Sequence, residues 1–261
     1  MNNEQLLLKA LDIVTEATNK LRPFYGNVKG ERKEHATDCD MVTELDRQTE
    51  QILFDELTKL DHGIGFRGEE FGQVKEGDRY WSADPIDGTD PFIRGLPFCS
   101  VQLALIEEGK PVLSIIDCIA QFQTFYALKG SGSWLGGEPI HVSERSLENG
   151  AMIFEANLRS NPEHIELRLK LRQRICLMQF CASGYELAMV ASGALEAKVS
   201  VNGYGKSWDY APGALLIQEA GGTVANIGKT SYDVQNCEVI MANPIVYKQL
   251  ITDQDLPFGV S

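Results

Sequence analysis

The feature that most constrains this chain is the segment Tyr80-Trp81-Ser82-Ala83-Asp84-Pro85-Ile86-Asp87-Gly88-Thr89-Asp90, where an apolar run enters a turn carrying three carboxylates and a hydroxyl within seven residues. Two carboxylates about 4 Å apart repel by on the order of 4 kcal/mol at an effective dielectric of about 20. A fold that brings Asp84 and Asp87 together therefore needs protons or cations between them, and a dication turns that cost into a gain. Oxygen ligands without a nearby His or Cys suit a hard ion, so Mg²⁺ fits better than zinc or copper. Asp90 is equally well explained as a turn-shaping residue, because Asp commonly bonds its own backbone in turns. A helix starting at Gly88 and Thr89 would aim free N–H groups at an anion, which makes these two residues candidate phosphate contacts.

The formal net charge of -13, from 37 acidic and 24 basic residues, argues against nucleic acid as a partner, since phosphate backbones are bound chiefly through Lys and Arg. Cations held at the acidic turn would let so anionic a chain accept a small phosphate. No apolar run approaches the roughly 20 residues of a membrane-spanning helix, and the start of the chain does not read as a secretory leader, so no membrane partner and a cytoplasmic location are expected. The six cysteines (Cys39, Cys99, Cys118, Cys176, Cys181, Cys237) form no CxxC pair and the four histidines are isolated, which favours buried reduced thiols over a zinc site.

At 261 residues and 43% hydrophobic composition the chain suits one large α/β domain or two small halves sharing a core. Helical spacing of Leu7, Ala10, Val14, Ala17 and Leu21 predicts a first helix over 3–21, closed near Pro23. A second helix is predicted from Thr43 to Leu60, with Thr43 and Asp46 as a capping pair. The runs between Val101 and Leu128 predict antiparallel strands, and Gly130, Gly132, Gly136 and Gly137 read as hairpin turns rather than a nucleotide loop. Asn161-Pro162 predicts a helix start, with Arg168, Lys170, Arg172 and Arg174 on a solvated face. Ser183 with Glu186 predicts a helix running through Ala197, and Asp209 one that ends at Gly221-Gly222. The whole divides into an N-terminal α+β half, 1–145, carrying most of the candidate ligands, and a C-terminal α/β half, 146–261, contributing Asp209 and the substrate pocket.

Three further acidic sites lie apart from the turn: Gly68-Glu69-Glu70, Asp46, and Trp208-Asp209. Singly, each has an ordinary explanation as a solvated loop pair, a capping residue or an N-cap. Together, the order of GEE, DPIDGT and WDYAPG, followed by Glu219-Ala220-Gly221-Gly222 and preceded by the Asp40–Asp46 stretch, resembles the inositol monophosphatase superfamily of lithium-sensitive phosphatases across nearly the whole chain. The resemblance implies an α/β fold of αβαβα sandwich type with two packed sheets, two or three Mg²⁺ ions, hydrolysis of a phosphate monoester and a homodimer. It implies that Glu69, Asp84, Thr89 and the Ile86 carbonyl hold the activating ion, and that Asp84, Asp87 and Asp209 hold a second. Asp46 and Thr89, together with Glu69, would form the catalytic group that orients and deprotonates the attacking water, with no covalent phosphoenzyme.

The chain departs from the family pattern where substrate is chosen. Asn202 stands seven residues before Asp209 where a Glu is usual, Cys181-Ala182-Ser183 replaces a GSA run, and Asp90-Pro91 replaces Thr-Asn. Asn202, Ser183 and Ala182 are the candidate substrate contacts. The resemblance implies a small substrate, first an inositol monophosphate or a similar polyol or sugar phosphate. Histidinol phosphate, fructose 1,6-bisphosphate and 3′-phosphoadenosine nucleotides are alternatives, as is a non-catalytic metal- or phosphoester-binding protein.

Overall fold

The computed structural model describes residues 1–32, 41–75, 77–155, 162–173, 175–180, 182–201, 203, 205–256 and 258–259. Helix α1 (Asn3–Leu21) opens on a capping box between Asn2 and Gln5 and buries Leu6, Leu7, Ala10, Val14, Ala17 and Leu21 on one face. A short ribbon of β1 (Glu31–Arg32) and β2 (Met41–Val42) leads into α2 (Glu44–Leu60), whose N-cap Thr43 and N3 residue Asp46 form the predicted reciprocal cap. Next come β3 (Gly65–Gly68), β4 (Gly72–Lys75), β5 (Arg79–Asp87) and the six-residue helix α3 (Thr89–Arg94). An antiparallel meander follows through β6 (Ser100–Glu107), β7 (Lys110–Cys118), β8 (Gln123–Leu128), β9 (Gly132–Leu135) and β10 (Glu138–Pro139). The predicted glycine turns close its last two hairpins.

These strands make one eight-stranded sheet in the order β10-β9-β8-β7-β6-β5-β3-β4, antiparallel except where β3 runs parallel to β5. The later chain supplies β11 (Met152–Glu155), α4 (Pro162–Arg172), β12 (Cys176–Met178), α5 (Ser183–Ala191), β13 (Ala197–Ser200), α6 (Ser207–Glu219), β14 (Thr223–Asn226), β15 (Val239–Ala242) and α7 (Pro244–Thr252). Its strands form a five-stranded sheet, β12-β11-β13-β15-β14.

Alternation along the strands sets the layers. Leu103, Leu105, Leu113 and Ile115 join α1 and α2 in one core, while Ile116, Cys118 and Phe125 meet α5 and α6 in a second. In β15, Val239 and Met241 face that second core, whereas Ile240 and Ala242 face a third beneath α4 and α7. Helices α5 and α6 thus lie between the two sheets in an αβαβα stack, as the family resemblance implied. Among the described residues no helix is long and apolar enough to cross a membrane.

Several sequence expectations need correction. Helix α5 stops at Ala191 rather than Ala197, because Gly193 takes a left-handed turn (φ 72°) and Ala197 begins β13, paired on both sides. Its cap is Ala182, and Glu186 points into the protein instead of back at Ser183. Helix α6 begins at Ser207, so Asp209 sits in its first turn, not ahead of it. The basic face of α4 is only partly solvated: Arg168 reaches the buried Glu155 and Gln179, while Lys170 pairs with Glu166 in solvent. Cys99, Cys118 and Cys237 are buried free thiols as expected, but Cys176 is exposed. Cys39, Arg174, Cys181 and Asn202 lie outside the described residues.

Candidate active site

The acidic turn is built by a β-bulge. On β5, Asp84 pairs with Gln102 and Asp87 with Ser100, so three steps along β5 match two along β6. In an unbroken strand, residues three apart point to opposite faces. The extra residue restores the phase: Ile86 joins the core under α1 and α2, and Asp87 returns to the face that carries Asp84. Pro85, which has no N–H to give the ladder, is tolerated at such an irregularity. The Ile86 N–H bonds Asp84 Oδ1 at 3.1 Å and tightens the turn.

Gly88 then takes a left-handed conformation (φ 80°) and starts α3. Thr89 follows, its Oγ 3.0 Å from Asp46 Oδ1 and 3.0 Å from the Ile86 carbonyl oxygen. The other carboxylate oxygen of Asp46 accepts the Thr43 N–H and the Thr43 hydroxyl, each at 2.7 Å. The cap of α2 therefore fixes the residue that Thr89 meets. Asp90 faces away and pairs with Arg94 one helical turn on, at 2.9 Å.

Glu69 and Glu70 occupy the turn between β3 and β4. That turn is gripped by Glu50 of α2, whose two carboxylate oxygens accept the N–H groups of Glu70 and Phe71, each at 2.8 Å. The backbone at Gly68 passes so close to Glu50 that any Cβ would collide with its carboxylate. Glu69 in turn hydrogen-bonds Asp84.

The later half closes the site with two helix starts. At the start of α5 the Ser183 N–H and hydroxyl reach Asp87 Oδ1 at 3.0 and 3.1 Å, and the Gly184 N–H reaches Asp87 Oδ2 at 2.8 Å. Ser183 Oγ also lies 3.4 Å from Asp209 Oδ1. Asp209 itself is held by the Lys206 N–H at 2.6 Å. Ala182, the cap residue of α5, is buried, so its side chain is a wall rather than a polar contact.

The result is a dense negative cluster. Ligating oxygens of Asp84, Asp87 and Asp209 all lie within 4.8 Å of one another. Burial, reinforced by the charges of Glu69, Asp87 and Asp209, pushes the Asp84 carboxyl well above its usual range. Burial raises Asp87 to about 7 despite its backbone donors, and raises Asp209 to about 8 with Glu69 and Asp87 adding to the effect. Asp46 is raised to about 6, again by burial, against the pull of Thr43 and Thr89. Such groups stay protonated, or they bind a cation that removes the repulsion. An all-oxygen set of carboxylates with the Ile86 carbonyl and the Thr89 hydroxyl at its edge fits a hard divalent ion.

A model of the inositol monophosphatase family matches residues 2–255 of this sequence. The chain belongs to the inositol monophosphatase family. It is 33% identical over 215 residues to a fructose-1,6-bisphosphatase/inositol-1-monophosphatase of Thermotoga maritima, covering 81% of each chain. It is 31% identical over 252 residues to an inositol-1-monophosphatase of Caulobacter vibrioides, covering 92% of this chain and 97% of that one. Its fold superposes on the solved Thermotoga maritima IMPase with a TM-score of 0.82 at 29% identity, over 91% of this chain and 92% of the other. Inositol monophosphatases are phosphoric monoester hydrolases.

Within this family member, the structure brings Asp84, Asp87 and Asp209 together, puts Glu69 on Asp84, and sets Asp46 against Thr89. It places Gly88 and Thr89 at the mouth of α3 and Ser183 on the carboxylates themselves. Sequence reasoning passed over Glu50, Ser100 and Gly184. Glu50 carried only the signal of an acidic residue in a helix, and Gly184 and Ser100 act through approaches that no spacing reveals. Ser100 Oγ lies 3.3 Å from Asp87 Oδ2, and a Cβ on Gly184 would come within 2.5 Å of Ser100 Oγ.

Proposed function

We propose that this chain is a magnesium-dependent phosphatase of small phosphate monoesters, with an inositol monophosphate or a similar polyol or sugar phosphate as substrate. The observation that carries the reading is the convergence of Asp84, Asp87 and Asp209 oxygens within 4.8 Å beside the Asp46–Thr89 contact. Glu69, Asp84, Thr89 and the Ile86 carbonyl would hold one Mg²⁺, and Asp84, Asp87 and Asp209 another. Such ions, when bound, supply Lewis-acid stabilisation of phosphoryl charge and lower the pKa of a nearby water.

The chain's own groups would do the rest. Thr89 has one hydroxyl proton and two acceptors at equal distance, Asp46 Oδ1 and the Ile86 carbonyl. When that proton points at Asp46, the lone pairs of Thr89 Oγ are free to accept from a water in the cluster. A proton taken from that water passes through Thr89 to Asp46, which burial tunes to about 6, close to the pKa suited to a general base near neutrality. The Gly88 backbone and the first turn of α3 would meet the phosphoryl oxygens. Ser183 and Gly184 would keep Asp87 from swinging away as charge develops.

The test is a screen of phosphate monoesters by purified protein, with Mg²⁺ and with EDTA, scored by kcat/KM. Release of phosphate that requires Mg²⁺ and favours inositol or sugar monophosphates is the expected result. Higher kcat/KM with histidinol phosphate, fructose 1,6-bisphosphate or a 3′-phosphoadenosine nucleotide would replace the substrate assignment. Silence with every ester and every divalent ion would leave only a binding role.

A further inference from the structure

Below the carboxylate cluster lies a pair of charges that the proposed chemistry does not use. Glu186, in the first turn of α5, is fully buried, and Lys198 of β13 is only 3% exposed. Lys198 Nζ bonds Glu186 Oε2 directly. The other oxygen, Oε1, accepts the Phe180 N–H at 3.1 Å, tying the chain that enters α5 to the helix's first turn. Within that span stand Ser183 and Gly184, the donors that grip Asp87.

Alternation explains why the lysine is there. In β13, Ala197 and Val199 face the core under α4 and α7, so Lys198 and Ser200 must face α5 and α6. Glu155 of β11 also interacts with Lys198, and with Arg168 and Arg172. Lys198 is thus a cation held inside the protein between two carboxylates, one of which belongs to the helix that orients Asp87. A buried ion pair of this kind is seldom retained for stability, because apolar replacements of both partners commonly fold as well or better.

We propose that Glu186 is a positioning residue for the metal site and Lys198 its counter-charge: Glu186 anchors the start of α5 so that Ser183 and Gly184 aim Asp87, and Lys198 pairs with it so that neither buried charge stands uncompensated beneath the ligands. This rests on the reading of Asp87 as a cation ligand. Removing the negative partner alone leaves a buried positive charge below the ligands and weakens cation binding. Removing the lysine alone leaves either a carboxylate or its neutral acid, and neither weakens it. Removing both restores a neutral site.

The test is Mg²⁺ titration of the metal-free protein by calorimetry, without substrate, for the parent, Glu186→Gln, Lys198→Met and the double variant. The expected result is a dissociation constant at least about fivefold weaker in E186Q, no weaker than the parent in K198M, and within about twofold of the parent in the double variant. General damage to the fold weakens both single variants alike, so the opposed response separates positioning from mere structural support. Weakening in K198M, no change in E186Q, or a double variant as weak as E186Q overturns the proposal. If K198M alone does not fold, E186Q and the double variant decide it by the same criteria. A parent protein that binds no Mg²⁺ overturns the functional reading itself, whereas a parent that binds and variants that bind equally overturn only this inference.

Discussion

Thr89 Oγ lies 3.0 Å from Asp46 Oδ1, although 43 residues separate them in the chain. Asp46 is fixed by the cap of α2 and Thr89 by the first turn of α3, so two helix starts hold the contact without help from any flexible segment. Replacing Thr89 by Ala removes the hydroxyl proposed to relay a proton to Asp46 while leaving the Asp46 cap intact. Turnover is expected to fall by roughly 10²- to 10⁴-fold, with the melting temperature nearly unchanged. Stopped or steady-state phosphate release at saturating Mg²⁺ checks it, and a Thr89→Ala variant with parental kcat would remove Thr89 from the chemistry.

Asp87 accepts from Ser183 N–H and Oγ, Gly184 N–H and Ser100 Oγ. In Asp87→Asn one of these acceptor positions becomes an amide donor facing a donor. A local cost of about 1–3 kcal/mol and a large loss of turnover are expected, with circular dichroism showing the fold retained. Activity equal to the parent at any Mg²⁺ concentration would count against the site.

The pH dependence of the metal-free protein has a definite sign. Asp87 and Asp209 are raised to about 7 and about 8 in the folded protein, and Asp84 higher than its ordinary value, all chiefly by burial. A carboxyl raised on folding contributes stability that is fully present below its unfolded pKa, near 3.9, and lost as pH rises through the folded value. The melting temperature in EDTA is therefore expected to fall between about pH 5 and pH 8. Added Mg²⁺ should raise it more at pH 8 than at pH 5, since binding favours the ionised carboxylates. A flat profile in EDTA, or equal Mg²⁺ shifts at both pH values, would contradict the clustering.

Glu50 makes no contact with Asp84, Asp87 or Asp209, yet it holds the turn that presents Glu69. In Glu50→Ala the Glu70 and Phe71 N–H groups lose their acceptor. A loss of about 2–4 kcal/mol and a higher half-saturating Mg²⁺ concentration are expected together. Chemical denaturation and a Mg²⁺ activation curve measure the two effects, and a variant with an unchanged activation curve would show that Glu69 needs no such support.

The sequence by itself determined α1 to the residue, the capped start of α2, the antiparallel meander with its glycine turns, and the acidic turn as a place needing cations. Those features are local: a helical stripe, a capping pair or a crowded run of carboxylates is written within a few neighbours of each residue. The family resemblance added the pairing of distant motifs, which spacing alone leaves unconnected. The end of α5 was misread because the apolar run from Leu187 to Val199 fits a helix as well as a helix followed by a strand, and Gly193 and the pairing of β13 with β11 and β15 decide between them.

Only the tertiary structure decided that Asp84 and Asp87 share a face, since that depends on one extra residue in β5 measured against β6. Only it brought Ser183, Gly184 and Ser100 to Asp87, set Glu50 against the turn that presents Glu69, and turned Asp90 away toward Arg94. The physical reason is range. Propensity and hydrogen bonding along the chain act over a few residues, whereas the convergence of like charges is imposed by packing two sheets around α5 and α6, where burial holds together groups that would separate in water.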